Sequence, residues 1–342
     1  MEFPDVHLLS AGTALPGAPV TNAALAARFG MDALWEQWID TFIGTRSRHL
    51  ALDLDTGERV GGLADLATAA AERAIADAAL SPSDIDLVVL ATATPDRLMP
   101  TTASVVADRL GIDGVPAFQL QSGCSGAVQA LEVARRFLLD GRYRNALVLG
   151  GDVVARFFDL TADLRRVPPT ELVGFVLFGD GAGAAVLSTD PAPGAAALRS
   201  VFTRLVGANR EPGATLDWYG PHERAVRGTG ASEDYKAIER HVPDMAAEVV
   251  KELLDDAGWT GDDVEHLLPP QLSGRMTELI ADRLGVGGRR VTCVRETGNI
   301  GNGIVFFQLE RLLGELRPGE RAIGVSIESS KWIKSGFALE GV

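Results

Sequence analysis

Cys124 combines the residue type and the sequence setting of a nucleophile. It follows Gln121-Ser-Gly123 and precedes residues 127–140, a stretch without Gly or Pro that predicts a helix. A thiol at a helix N-terminus lies near unpaired backbone N–H groups and the positive end of the helix dipole, and both lower its pKa. From the local sequence alone, a buried structural cysteine is an equally good interpretation. It is the better one for Cys293, which lies inside a predicted strand at 291–294.

A glycine-rich segment at 178–187 is similar to a phosphate-binding loop. It leads into a predicted strand at 184–187, whereas a dinucleotide site needs a helix there. We therefore interpret the segment as a tight turn. Asp180 within it is expected to accept hydrogen bonds from a turn or a helix end rather than to act as a catalytic acid.

The elements around Cys124 alternate between helices and short apolar strands. This alternation predicts an α/β fold with helices on the faces of a sheet. The predicted helices lie at 64–80, 101–110, 125–139, 245–258, 275–284 and 304–316, and the predicted strands at 86–92, 117–120, 146–149, 266–268, 290–294 and 322–327.

The second half of the chain repeats the pattern of the first. Ser122-Gly-Cys-Ser-Gly126 and Thr297-Gly-Asn-Ile-Gly301 hold matching positions, and each leads into a long predicted helix. A duplication of this kind puts Cys124 and Asn299 at equivalent helix N-termini. The turn-rich stretch at 190–194 marks the boundary, which gives an N-terminal half (1–190) carrying the cysteine and a C-terminal half (191–342).

Composition excludes several classes of protein. The formal net charge of −14 argues against a nucleic-acid binder, which needs a basic face. Two cysteines are too few for a disulfide framework and fit no zinc spacing. No signal-peptide pattern and no apolar run of about 18 residues are visible. We therefore expect a cytoplasmic protein without a membrane partner.

Five motifs together resemble the ketoacyl-ACP synthase III family of the thiolase fold, over nearly the whole chain. Their order and spacing carry the resemblance, since no single motif is decisive. They are Trp38-Ile…Gly44-Thr-Arg-Ser-Arg-His49, Ala91-Thr-Ala-Thr-Pro-Asp96, Ser122-Gly-Cys-Ser-Gly126, the 179–187 turn and Thr297-Gly-Asn-Ile-Gly301.

This resemblance implies a five-layered α-β-α-β-α fold of two duplicated halves, working as a homodimer. It implies that Cys124 takes an acyl group from coenzyme A or from a phosphopantetheinyl carrier protein, with no tightly bound cofactor and no metal. The family's acceptor is most often malonyl-carrier protein, which loses carbon dioxide. Members commonly use a Cys, a His and an Asn; Cys124 and Asn299 match two of these.

The histidine is the first departure from the family. Its Pro-His-Gln motif is replaced by Pro269-Pro270-Gln271, and Pro270 can neither accept a proton nor donate a hydrogen bond. Among the other histidines, His266 lies four residues earlier, and we treat it only as a possible auxiliary residue.

Two further departures flank the expected site. The family's glycine-rich turn after the last strand, which helps to form the oxyanion hole, is replaced by Glu328-Ser-Ser-Lys-Trp332. Glu328 and Lys331 are therefore candidate auxiliary groups together with Glu296, although solvated loop residues are the better interpretation of the first two. Extra sequence at 159–170, including Pro168, falls where the family has the entrance to its substrate tunnel.

Four residues match binding positions of the family. Trp38 and Arg46 match positions near the nucleotide or the pantetheine arm, and Arg275 matches a basic position that faces the carrier protein. Met99 matches a residue that reaches into the tunnel of the other subunit; plain dimer core is the alternative.

These features favour a divergent acyltransferase that passes the acyl group from Cys124 to the oxygen or nitrogen of a small molecule, in secondary metabolism. An amine or hydroxyl acceptor demands less electrostatic help than an enolate, which needs two donors. Two alternatives remain open: a decarboxylative carbon–carbon condensing enzyme with a relocated base, and a non-catalytic partner subunit of another ketosynthase.

Overall fold

The computed structural model describes residues 5–167, 169–218 and 231–342. Its strands are β1 (His7–Ala14), β2 (Val20–Thr21), β3 (Ser47–Arg48), β4 (Leu87–Thr92), β5 (Ala117–Gln121), β6 (Asn145–Asp152), β7 (Gly181–Ser188), β8 (Ala196–Leu205), β9 (Ala214–Leu216), β10 (Ala231–Glu233), β11 (His266–Leu268), β12 (Arg289–Arg290), β13 (Arg321–Glu328) and β14 (Ile333–Gly341). Its α-helices are α1 (Asn22–Phe29), α2 (Ala33–Trp38), α3 (Leu63–Asp77), α4 (Thr102–Leu110), α5 (Gly126–Leu139), α6 (Pro169–Leu177), α7 (Tyr235–Ala257), α8 (Gly274–Ala281), α9 (Val294–Thr297) and α10 (Ile304–Leu313).

The strand order shows the duplication. In the described residues a continuous sheet runs β12-β11-β13-β14-β8-β1-β7-β6-β4-β5. Outward from the centre, each half has two antiparallel pairings followed by two parallel ones. The halves meet where β1 pairs with β8 through His7 and Leu8. The proposed boundary at residue 190 falls between β7 and β8 and stays a prediction.

Three helical layers cover the two halves of the sheet. The outer helices α3 and α4 pack on the N-terminal strands, and the outer helices α7 and α8 pack on the C-terminal strands. Helices α5 and α10 form the middle layer, and their apolar residues share one core with strands of both halves. Apolar burial on both sides of each half-sheet therefore produces the five layers that the resemblance implies, and this expectation is confirmed.

Two elements differ from the sequence predictions. Helix α7 begins ten residues earlier than expected and continues through Pro243, since its buried stripe (Ile238, Val242, Met245) is unbroken. Burial of that stripe outweighs the cost of an interior proline, about 3 kcal/mol. The predicted strand at 290–294 is wrong beyond Arg290: Cys293 precedes the short helix α9, and it is fully buried as expected.

A separate apolar cluster covers one end of the sheet near Cys124. It is built by α1, α2, the π-helical turn Ile39–Ile43 and α6. Among the described residues, none of the helices has the length and apolar character needed to cross a membrane.

The middle layer approaches the N-terminal sheet closely because two strand positions lack side chains. A Cβ atom on Gly183 would overlap Phe306 of α10, and one on Gly150 would overlap the backbone of Asn302. These glycines let α10 lie against β6 and β7, which fixes the loop that precedes α10.

We expect Gly183→Ala to lower the free energy of unfolding by about 1–3 kcal/mol, because the added methyl overpacks against Phe306. Chemical denaturation measures the change. Gly287→Ala is the matched control: Gly287 has no heavy atom within 4 Å of an added Cβ, so a change within about 0.5 kcal/mol is expected there. Equal effects at both positions would contradict this account of the packing.

Candidate active site

Cys124 lies in the loop that joins β5 to α5, at the edge of a cavity of about 450 Å³. Ser122 and Gly123 precede it, and its carbonyl oxygen accepts a hydrogen bond of 2.7 Å from the Ser326 hydroxyl. Cys124 is half-buried, with part of the residue open to the cavity. The loop places a thiol where a substrate can reach it, as expected for a nucleophile.

Both halves of the chain contribute to the cavity wall. Its apolar surface includes four phenylalanines, and two of them, Phe158 and Phe175, have ring centroids 4.8 Å apart. The 159–170 insertion leads from Phe158 into α6, which carries Phe175; Pro168 itself lies outside the described residues. Carboxyl groups are the ionisable side chains beside Cys124 in the wall: Asp152, Glu233 and Glu328.

Glu328 is 3% exposed at the end of β13, so the interpretation as a solvated loop residue is wrong. Its carboxylate accepts hydrogen bonds from the Ser125 N–H and hydroxyl, both at 3.2 Å, from the Ser122 hydroxyl at 3.4 Å, and from the Ser330 hydroxyl. Gln129 donates to the hydroxyl oxygens of Ser122 and Ser125, which leaves their protons for Glu328.

Glu328 also packs directly on Gly123. A Cβ atom at position 123 would overlap the Glu328 carboxylate. The carboxylate therefore occupies the space beside the nucleophile loop where the family resemblance expects a glycine-rich turn.

Asp152, at the end of β6, is enclosed under the cavity. Its Oδ1 accepts from Thr92, Ala93 and Thr94, and its Oδ2 accepts from the backbone N–H and the side-chain amide of Asn302, both at 2.8 Å. Burial raises the pKa of the Asp152 carboxyl, and the hydrogen bonds from Asn302 oppose this effect.

The electrostatic setting of Cys124 differs from the sequence expectation. Burial, and then the negative charges of Glu328, Glu233 and Asp152, raise the pKa of the Cys124 thiol. The predicted lowering of the Cys124 pKa by the helix N-terminus is therefore wrong, because burial and three nearby carboxyl groups act in the opposite direction.

Sequence reasoning missed Glu233. It ends β10, lines the cavity, and burial raises the pKa of its carboxyl to about 7. The sequence around it, Ser232-Glu-Asp234, is typical of the polar residues that precede a helix. Asp234 does cap the N-terminus of α7. Only its position in the fold distinguishes Glu233.

Asn299 lies behind the wall of the cavity rather than on it. Its Oδ1 accepts from the Gly301 N–H at 2.9 Å, its Nδ2 donates to the Leu272 carbonyl at 3.4 Å, and Gly301 forms the wall. The helix N-termini are not strictly equivalent, because a 3₁₀ turn at Gly301–Gly303 separates Asn299 from α10. Its catalytic role stays a prediction.

The structure does not bring the other auxiliary candidates to the cavity. Glu296 is exposed on α9, and Lys331 is exposed with its Nζ donating to the Arg210 carbonyl at 2.6 Å. His266 is buried on β11, where its Nε2 lies 3.0 Å from Glu320. In the described part of the chain, no histidine lines the cavity; His222 lies outside that part.

The predicted carrier-binding residues belong to adjoining segments. Trp38 ends α2, and the π-helical turn after it lies against the start of α8, where the Arg275 guanidinium stands 5.9 Å from the Phe42 ring centroid. Arg46 is exposed, and its N–H donates to the Arg295 carbonyl. Met99 is 85% exposed and lies away from this chain's own cavity. Their binding roles stay predictions.

We expect Glu328→Gln to speed alkylation of Cys124 by iodoacetamide, because it removes a negative charge that disfavours the thiolate. The alkylation rate is expected to rise roughly three- to tenfold at about pH 8. Mass spectrometry measures the labelling over time. Glu296→Gln, with its exposed side chain, serves as the control, and Cys124→Ala reports any labelling of Cys293. No gain, or the same gain in the control, would contradict the electrostatic account.

Comparison with known proteins agrees with this geometry. The profile of the family described as 3-oxoacyl-[acyl-carrier-protein (ACP)] synthase III matches residues 118–204. The β-ketoacyl-[acyl-carrier-protein] synthase III of Rhizorhabdus wittichii is 33% identical over 316 residues, 92% of either chain. That of Rhodospirillum centenum is 36% identical over 284 residues, 83% of this chain and 82% of the other.

Two solved structures match over nearly the full length. AbyA1, described as a tetronic acid condensing enzyme, is 69% identical with a TM-score of 0.95, over 98% of this chain and 100% of that one. The priming β-ketosynthase of the R1128 polyketide biosynthetic pathway is 27% identical with a TM-score of 0.83, over 99% of this chain and 97% of that one. With its nucleophile loop, its duplicated five-layered fold and these relatives, the chain belongs to the β-ketoacyl-[acyl-carrier-protein] synthase III family of thiolase-fold condensing enzymes.

Proposed function

We propose that this protein joins two thioesters into a ring of the tetronic acid type, with Cys124 holding the first acyl group. The observation that carries the proposal is the 69% identity to a tetronic acid condensing enzyme over 98% of the chain. It is supported by a cavity in which the described residues place carboxyl groups, and no histidine, beside Cys124.

The structure of a tetronic acid defines the bonds to be made. The ring is a five-membered lactone that contains an enolised 1,3-dicarbonyl. A 2-hydroxyacyl thioester and a β-ketoacyl thioester give it through two steps. The acidic α-carbon of the β-ketoacyl thioester attacks the carbonyl carbon of the 2-hydroxyacyl group on Cys124 and displaces the Cys124 thiol. The hydroxyl of the 2-hydroxyacyl group then attacks the thioester carbonyl of the β-ketoacyl part and displaces the carrier thiol.

This reaction combines two of the chemistries that the sequence leaves open. Ring closure is the acylation of an oxygen of a small molecule, and the first step forms a carbon–carbon bond. No carbon dioxide is released, because the α-carbon already lies between two carbonyl groups and loses a proton instead. The enolate is then stabilised by its own second carbonyl.

Pro270 is compatible with such an acceptor. In decarboxylative condensation a simple thioester enolate forms, and two hydrogen-bond donors stabilise it; loss of one costs about 10²–10³ in rate. A β-ketoacyl acceptor needs less of this help. The backbone N–H groups of the nucleophile loop and of residues 328–331 remain to stabilise the tetrahedral oxyanion.

Carrier delivery and assembly form part of the proposal. The names of the relatives state that they act with acyl carrier protein. The net charge of this chain is negative, and exposed Arg275 and Arg46 offer two cations that could bind phosphate or an acidic carrier.

Exposed Leu98 and Met99 fit a homodimer contact. The two polyketide- and tetronate-related matches support a role in secondary metabolism, and a cytoplasmic location is part of the proposal.

The first test is intact-protein mass spectrometry after incubation with 2-hydroxyacyl and simple acyl thioesters, as coenzyme A and carrier-protein derivatives. We expect a mass gain of one acyl group on the wild type and none on Cys124→Ala. Addition of acetoacetyl-pantetheine should then discharge the acyl group and give an acyltetronic acid. No acyl-enzyme with any donor, despite folded protein, favours the non-catalytic partner subunit.

We further expect malonyl-carrier protein to be a poor substrate. Carbon dioxide release should be about 10²–10³ slower than for the synthase III of a relative that has the histidine, because one enolate donor is absent. Release of radiolabelled carbon dioxide from malonyl-carrier protein measures this. Ordinary rates that depend on Cys124 would instead support decarboxylative condensation with a relocated base.

A further inference from the structure

The three carboxyl groups in the cavity wall differ in how their oxygens are used. Glu328 accepts from Ser122, Ser125 and Ser330, and Asp152 accepts from a ring of backbone and side-chain donors. The Oε2 atom of Glu233 is shielded from solvent and has no hydrogen-bond partner. A buried unpaired carboxyl oxygen is costly and calls for an explanation.

Glu233 stands where a reaction at Cys124 can use it. It lines the same cavity, and its charge acts on the Cys124 thiol, whose pKa it helps to raise. It also lies near Tyr235, the pKa of whose phenol it helps to raise. Since no donor holds its Oε2 atom, the Glu233 carboxyl group is available to a molecule that fills the cavity.

We infer that Glu233 is the catalytic base of the condensation step, taking a proton from the acceptor's α-carbon and returning it to the sulfur of Cys124. This inference rests on the proposed function and adds to it the residue that moves the proton. Asp152 and Glu328 do not serve this purpose, because their oxygens already hold the loops of the site together.

The step balances in atoms and charge. The Glu233 carboxylate takes the proton from the carbon between the two carbonyls of the acceptor. The electron pair of that C–H bond forms the new bond to the acyl carbonyl carbon on Cys124. The carbon–sulfur bond breaks, and the departing thiolate takes the proton from Glu233. Both residues then return to their starting states, and no oxidant or co-reactant is needed.

The protonation equilibrium of Glu233 suits this exchange. Burial raises the pKa of its carboxyl to about 7, so near neutral pH both its proton-accepting and its proton-donating forms are populated. The deprotonated fraction of Glu233 grows as pH rises through about 7. Because the step needs this form as the base, the condensation rate should climb over the same range and then level off.

Among the residues that the structure describes, few titratable groups face Glu233. Cys124, Asp152 and Glu328 share the cavity, and Tyr235 follows on α7. The paired strand β9 (Ala214–Leu216) and the described side chains of α6, residues 172–177, carry no titratable group. We therefore expect a pH step near 7 in the reaction of the acyl-enzyme to come from Glu233, and its loss in Glu233→Gln tests this assignment.

The experiment separates acyl transfer from condensation. Wild type and Glu233→Gln are first loaded to completion with lactoyl-coenzyme A, which mass spectrometry verifies. Discharge of the acyl-enzyme by acetoacetyl-pantetheine is then followed by rapid quench across a pH series. We expect discharge to be about 10²–10⁴ slower in Glu233→Gln, with the pH step lost, and to recover partly in Glu233→Asp. Glu296→Gln should match the wild type.

The outcomes distinguish the inference from the proposed function. A wild type that loads but is never discharged by the β-keto thioester overturns both. Discharge of the Glu233→Gln acyl-enzyme at the wild-type rate, with the same pH step, overturns the role of Glu233 and leaves the proposed function standing. If Glu233→Gln does not load, Glu233→Asp decides: a wild-type rate with an unshifted pH step overturns the role.

Discussion

The hydrogen bonds of the enclosed Asp152 carboxylate hold the active-site loops in one arrangement. From the end of β6, Asp152 binds Thr94 and its neighbours on one side and Asn302, just before α10, on the other. Asn302 in turn donates to the carbonyl of Ser122, two residues before the nucleophile, at 2.8 Å. Loops of the two halves thus meet on one buried acid, and loss of any partner would leave a costly unpaired group.

Among the described residues, this arrangement surrounds Cys124 with acids rather than with a base that takes up a positive charge. A thiol paired with histidine can become a thiolate stabilised by an imidazolium. Cys124 instead faces carboxyl groups, two of which are occupied by structural hydrogen bonds and one of which is not. Such an environment raises the pKa of the Cys124 thiol. The same property suits the acceptor that we propose, which brings its own acidic proton.

The sequence predicts those parts of the site whose cause is local. The small residues around Cys124, the helix after it and the replacement at Pro270 are all visible within a few residues. Glu328 and Lys331 are only three residues apart, yet one is buried against the nucleophile loop and the other is exposed. That difference depends on where β13 ends relative to a loop about two hundred residues earlier. Glu233 gains its importance only when β10 is placed over the cavity, which no local pattern encodes.

The packing of Gly123 on Glu328 links the histories of two distant positions. A Cβ atom at residue 123 would overlap the Glu328 carboxylate, so a side chain there requires the carboxylate to move away from the loop. Loss of the acid would make room for alanine at 123, whereas alanine beside a retained glutamate would disturb the hydrogen bonds of the Glu328 carboxylate to Ser122 and Ser125. A side chain at 123 should therefore accompany loss of the acid at 328, and substitutions at the two positions should be correlated among descendants.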